Sequence, residues 1–85
     1  MNEGIEFNES AFRHDISKED IIHALKTKVY DAALLDFPEK HAVIGFDRTG
    51  NPLEIMYNEI DDETINVFHA MKVRKTFLAK LGLWG

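Results

Sequence analysis

Apolar residues recur along this chain with two different periods, and each change of period marks an element. Ile21, Ile22, Leu25 and Val29 stand three and four apart, the spacing of one helix face. Ser17 just upstream is suited to cap that helix, its hydroxyl accepting from the backbone N–H three residues on. Glu19 and Asp20 in the first turn and Lys26 and Lys28 in the last complement the helix dipole. A helix is therefore predicted over 17–28. Before it, Phe7 and Phe12 anchor a short helix or turn over 7–15. After it, Ala32-Ala33-Leu34-Leu35 reads as a short first strand. Residues 41–46, 53–58 and 64–70 alternate as strands do. The first two are joined through Asp47-Arg48-Thr49-Gly50-Asn51-Pro52, rich in turn residues, and the last two through Asp61-Asp62. Beyond residue 70 the period lengthens again. Val73, Phe77 and Leu81 fall at i, i+4 and i+8, so the last strand runs almost directly into a terminal helix.

The turns suggest a register. Centring the first hairpin on Thr49-Gly50 sets Ala42, Ile44 and Phe46 against Tyr57, Ile55 and Leu53. A loop centred on Asp61 sets Ile65, Val67 and His69 against the same three. One face is then nearly all apolar, and Ile21, Leu25, Ile44, Ile55, Val67 and Phe77 are the expected core. The other carries His41, Val43, Glu54, Met56, Asn58, Asn66 and Phe68 and is the expected docking face. A slip of one residue exchanges the two faces.

Composition narrows the class. Eighty-five residues make one small domain over 1–85, and 45% hydrophobic with 29% charged residues is an ordinary globular balance. There is no cysteine, so disulfides, thiolate catalysis and cysteine metal sites are excluded. No apolar run approaches the ~20 residues of a membrane helix. The N-terminal residues are acidic and lack the order of a signal peptide, so a cytoplasmic protein with no membrane association is expected. The formal charge is −5, which argues against tight, non-specific binding of nucleic acid. Residues 69–85 nevertheless contain Lys72, Arg74, Lys75 and Lys80 and no acid.

The candidate chemistry gathers at this strand-to-helix junction. His69 beside Lys72, Arg74 and Lys75 offers an acid or base and cations for a phosphate. On the register above, His69 also fits a hydrogen-bonded core position. His14 has a second use in shaping the helix entry beside Ser17, His41 is expected to face solvent, and His23 to pair with Glu19. The histidine spacings include no His-x-x-x-His pair, and neither a metal site nor a cofactor is expected.

Two stretches in order resemble the BrnT family of bacterial toxins, within the RelE/ParE-like superfamily. Arg13-His14-Asp15-Ile16-Ser17-Lys18-Glu19-Asp20-Ile21 is similar to the family's Lys-His-Gly-Val-Ser-x-Glu-Glu-Ala. Residues 40–57, with Ile44-Gly45-Phe46-Asp47, Gly50 and Leu53, follow its basic, Ile-Gly, turn and strand order. Phe68-His69-Ala70-Met71-Lys72 resembles its Ile-Ser-Ala-Arg-Lys junction. Asp15 stands where the motif has glycine and Met71 where it has arginine, with Arg74 one helical turn on. The family's terminal glutamate and tyrosine are missing. The resemblance spans residues 7–81. It implies an α+β, RelE-like fold: two N-terminal helices, an antiparallel meander of three or four strands, and a C-terminal helix. It further implies a toxin–antitoxin component, a metal-independent endoribonuclease blocked by a neighbouring gene product. Then His14 and His69 are the acid/base candidates, Lys72 and Arg74 stabilise the phosphorane, and Lys72 and Lys75 hold RNA weakly. The alternative is a non-catalytic protein-binding module of the same fold, taking a partner or a second copy to form a homo-oligomer.

Overall fold

The computed structural model describes residues 4–83. Strand β1 (Gly4–Phe7) leads through a 3-10 turn (Glu9–Phe12) to helix α1 (Lys18–Lys26). Strands β2 (Tyr30–Ala33), β3 (Lys40–Phe46), β4 (Pro52–Asp61) and β5 (Thr64–Lys72) follow, and helix α2 (Lys75–Lys80) closes the fold. All five strands form one sheet in the order β1-β5-β4-β3-β2.

The α+β class stands, but the arrangement of two N-terminal helices and a three- or four-stranded RelE-like meander is corrected. Among the described residues there is one α-helix ahead of β2, set between β1 and β2, and the predicted helix over 7–15 is only the 3-10 turn. The sheet gains β1, which lies parallel to β5 with Ile5 beside Ile65 and Phe7 beside Val67. Alternation of Ile5 and Phe7 is the only local trace of it. Its hydrogen bonds are made to a strand at the far end of the chain, where no neighbouring pattern announces them.

Helix α1 forms where expected. Ser17 Oγ accepts from the Asp20 N–H at 3.1 Å, and Ile21 and Ala24 are fully buried. They pack with Ala11, Val43, Leu53, Ile55, Val67 and Ala70 into the larger core cluster. On the opposite face Phe77 of α2 packs on Ala42 and Ile44. Of the expected core, Ile21, Ile44, Ile55, Val67 and Phe77 are buried and Leu25 is half-buried against them.

The register of the first hairpin is one residue away from the expected one. Val43 pairs with Ile55 and His41 with Tyr57, so β3 turns Val43, not Ile44, toward α1. The cause is the loop. Asp47 accepts from the Thr49 and Asn51 N–H groups and from both side chains, closing the turn around Thr49. These bonds, the Asn51 N–H foremost, hold the Asp47 carboxyl down at about 2. The expected docking face is corrected with the register: Val43 is fully buried and Met56 packs against the Phe77 cluster.

Two histidines also have other partners than expected. His23 Nδ1 lies 2.8 Å from the Phe46 carbonyl oxygen rather than on Glu19. His41 does not face solvent: its Nδ1 donates to Asp31 at 2.7 Å, and its ring stacks on Tyr57. Tyr57 donates to the same carboxylate at 2.9 Å. Burial and this bond to an anion push the Tyr57 hydroxyl well above its ordinary range.

Candidate functional site: histidines and an arginine around a buried carboxylate

Glu54 sits on β4, the central strand, between Ile44 and Met71 in the register. Nothing about its neighbours Leu53 and Ile55 would welcome a charge, and Glu54 is the one fully buried charged side chain among the described residues. Such a group persists only when its lone pairs are satisfied. Here they are. Arg74 Nη2 donates to Oε2 at 2.6 Å and Nε to Oε1 at 3.1 Å, the fork geometry that suits a carboxylate. The Arg74 backbone N–H donates to Oε1 at 2.9 Å, and His69 Nε2 approaches Oε2 at 2.7 Å. Burial alone would raise the Glu54 carboxyl, but hydrogen bonds from the Arg74 side chain, His69 and the Arg74 N–H outweigh it. The carboxyl lies below its ordinary range. An ionised carboxylate only accepts, so His69 Nε2 carries the proton and neutral His69 keeps Nδ1 as its basic nitrogen.

A β-bulge aims His69 at this carboxylate. Tyr57 pairs with Val67 but Met56 pairs with His69, which leaves Phe68 as an extra residue in β5. The bulge shifts the face pattern by one position, so Ala70 faces the α1 core with Ile55 while His69 turns toward Glu54. The carbonyl of Phe68 is satisfied by Ser10 Oγ at 2.6 Å. The same contact ties the 3-10 turn to β5, and His14 follows on that turn's exposed exit. Its ring centroid lies 5.8 Å from that of His69, edge to face.

Beside these rings, Arg13, His14, Asp15, Ile16, Met71 and Lys72 line an open concavity of about 610 Å³. The structure thus brings together His14, His69, Arg74 and Lys72 of the sequence candidates. Lys75 opens α2 outside the lining of that concavity. The Arg74 Nε and Nη2 are engaged by Glu54, so the phosphorane-stabilising role expected of Arg74 competes with this ion pair, although about half of the side chain stays exposed. The sequence reading missed Glu54 as a site residue. The available signal was a lone carboxylate inside the apolar run Leu53–Tyr57, on the strand flanked by both other strands of the meander.

The buried carboxylate makes a pH prediction. The folded-state carboxyl of Glu54 is lowered, so its contribution is fully present above the unfolded value near pH 4 and is lost as pH falls further. Asp31 behaves alike: burial opposes its ionisation, but bonds from Lys28, His41 and Tyr57 prevail and lower it. The denaturant midpoint should be flat above about pH 5 and fall in acid. Glu54→Gln should lower stability by about 2 kcal/mol at neutral pH, the worth of hydrogen bonds to a charged group, and by much less in acid. Denaturant titrations of both proteins across pH measure this; an equal loss at every pH would show that Glu54 is not ionised in the fold.

No helix among the described residues is long and apolar enough to cross a membrane. No family model, no curated protein and no solved structure matches this chain.

Proposed function

We propose that this chain is a metal-independent endoribonuclease acting in the cytoplasm as the toxin of a toxin–antitoxin pair. The observation that carries the reading is the approach of His14 to His69, which a buried Glu54 holds together with Arg74, where His14 lines a concavity with Arg13 and Lys72. Two imidazoles with ring centroids 5.8 Å apart suit cleavage of a phosphodiester by its own 2′-hydroxyl. His69 Nδ1 takes the 2′-OH proton, the 2′-oxygen bonds to phosphorus, and the bond to the 5′-oxygen breaks as that oxygen takes a proton from protonated His14. Products are a 2′,3′-cyclic phosphate and a free 5′-hydroxyl. Arg13 and Lys72 face the charge that grows on the phosphoryl oxygens. Glu54 holds the His69 tautomer and stabilises the imidazolium that forms, as a buried carboxylate does for histidine in other acid–base pairs.

The backbone at Asp15 supports the resemblance to the BrnT toxins. Its φ is +63°, the left-handed region that glycine enters freely and aspartate tolerates. This is the position where the family motif has glycine. The second reading, a protein-binding module without chemistry, draws support from Arg74: its Nε and Nη2 are both engaged by Glu54. In either reading a neighbouring gene product is the expected partner.

The test is expression without that partner. Growth should slow and total RNA should show cleavage, and the purified chain should cut single-stranded RNA equally with and without a chelator. With a charge of −5, affinity for RNA should be weak and fall with salt. A chain that is harmless and leaves RNA intact, yet binds its neighbour, is the binding module.

A further inference from the structure

Strand β2 is an outer strand of the sheet. In its antiparallel ladder with β3, Leu34 N–H donates to the Lys40 carbonyl oxygen at 2.9 Å. The same alternation bonds Ala32 to Ala42 and Tyr30 to Ile44. The backbone groups of Asp31 and Ala33 therefore aim outward, away from β3. Natural edges of this kind are blunted by outward lysines, prolines or bulges. This one has none of these along Tyr30–Ala33, and its one charge, Asp31, is already matched within the chain by Lys28 and His41. The residues at its two ends are instead apolar and exposed: Val29 before it, Leu35 and Phe37 after it. An open groove of about 490 Å³ runs alongside, between Tyr30, Leu34 and Phe37 and the Lys80 and Leu81 end of α2.

We infer that β2 is the interface of a homodimer, in which the β2 strands of two copies pair antiparallel about a twofold axis at Ala32. The occupant follows from the edge being complementary to itself. Around Ala32 the sequence runs Lys28-Val29-Tyr30-Asp31-Ala32-Ala33-Leu34-Leu35-Asp36. Antiparallel pairing centred there sets Tyr30 against Leu34 of the second copy and brings the exposed Val29 and Leu35 at the two strand ends together, each contact occurring twice. The outward backbone groups of Asp31 meet those of Ala33, as a bonded pair requires. Centring on Asp31 would oppose two aspartates, and centring on Ala33 would set Asp31 against the apolar Leu35. Only the Ala32 register keeps Asp31 away from both and joins the apolar ends. Two five-stranded sheets then continue as one, and the exposed Val29 and Leu35 leave water. The inference is independent of the chemistry at His69.

Sedimentation equilibrium of the purified chain over a wide concentration range tests it. The mass should rise from 9.8 kDa toward about twice that value. Residue 32 then faces its own copy in a non-bonded pair, with Cα atoms about 4.5 Å apart, within disulfide reach. The chain has no cysteine, so Ala32→Cys under oxidation should give a disulfide-linked dimer that reports this register alone. Leu35 is fully exposed, so Leu35→Asp leaves the monomer intact and should weaken the dimer. A wild-type chain that stays monomeric throughout overturns the inference. So does a dimer that tolerates Leu35→Asp and leaves Ala32→Cys reduced, since its interface lies elsewhere.

Discussion

Gly45→Ala should cost the domain about 3 kcal/mol or more and lower its melting temperature by roughly 12–24 °C. A Cβ at residue 45 would lie 1.9 Å from the Ala24 carbonyl oxygen and 2.6 Å from its carbon. Those are backbone atoms in the body of α1, so no rotamer change relieves the contact. The helix must move off the sheet. It is stitched there by polar contacts that do not stretch: His23 Nδ1 donates to the Phe46 carbonyl oxygen at 2.8 Å, and Thr27 Oγ1 accepts the Phe46 N–H at 3.1 Å. Displacing α1 breaks these bonds and opens the cluster of Ile21, Ala24, Val43 and Ile55. A domain of this size holds only about 4–13 kcal/mol in all. Gly50→Ala is the control. Gly50 has φ +91° with nothing near its missing Cβ, so alanine there meets only backbone strain of about 1–2 kcal/mol. Thermal unfolding of the two variants decides. A Gly45→Ala protein that melts no lower than Gly50→Ala would mean that α1 does not rest on Gly45.

What was legible in the sequence follows the range of the interactions. Helix α1 was readable because its cap, charges and apolar stripe all lie within its own residues. The meander was readable from alternation and turn chemistry. Parallel β1 was not, because its partner β5 lies at the other end of the chain, and four residues carry too little pattern. Register failed for a local reason that composition hides: the Asp47 carboxylate gathers the loop around Thr49, and a shift of one residue is enough to exchange the faces of β3. The site was half legible. His69 and Arg74 drew notice as types of residue, but what unites them is Glu54, and the bulge at Phe68 is what turns His69 from the apolar face toward it. A bulge depends on how two strands settle together and leaves no mark on either alone. One extra residue in β5 thus separates a core histidine from a catalytic candidate.

His69→Ala should reduce RNA cleavage by about 10²–10⁴-fold while leaving the chain folded. The fold should survive because Glu54 keeps the Arg74 fork and the Arg74 N–H, and because His69 is itself partly exposed. The rate should not, because the basic Nδ1 leaves with the ring. His14→Ala should cost a similar factor through loss of the acid at the 5′-oxygen. His14 is exposed, so its removal disturbs the fold even less. If the two rings act on one phosphodiester from either side, their losses are not independent. The double variant should fall less far than the product of the single effects, since without one partner the other has no concerted step to assist. Glu54→Gln should lower the maximal rate more than the apparent affinity, because it disturbs the tautomer and charge of His69 and touches no RNA. Steady-state cleavage of a single-stranded oligoribonucleotide, with circular dichroism on each variant, reads all four. Wild-type cleavage by folded His69→Ala would place the chemistry elsewhere on the protein; loss in His69→Ala with none in Glu54→Gln would leave the buried carboxylate a purely structural group.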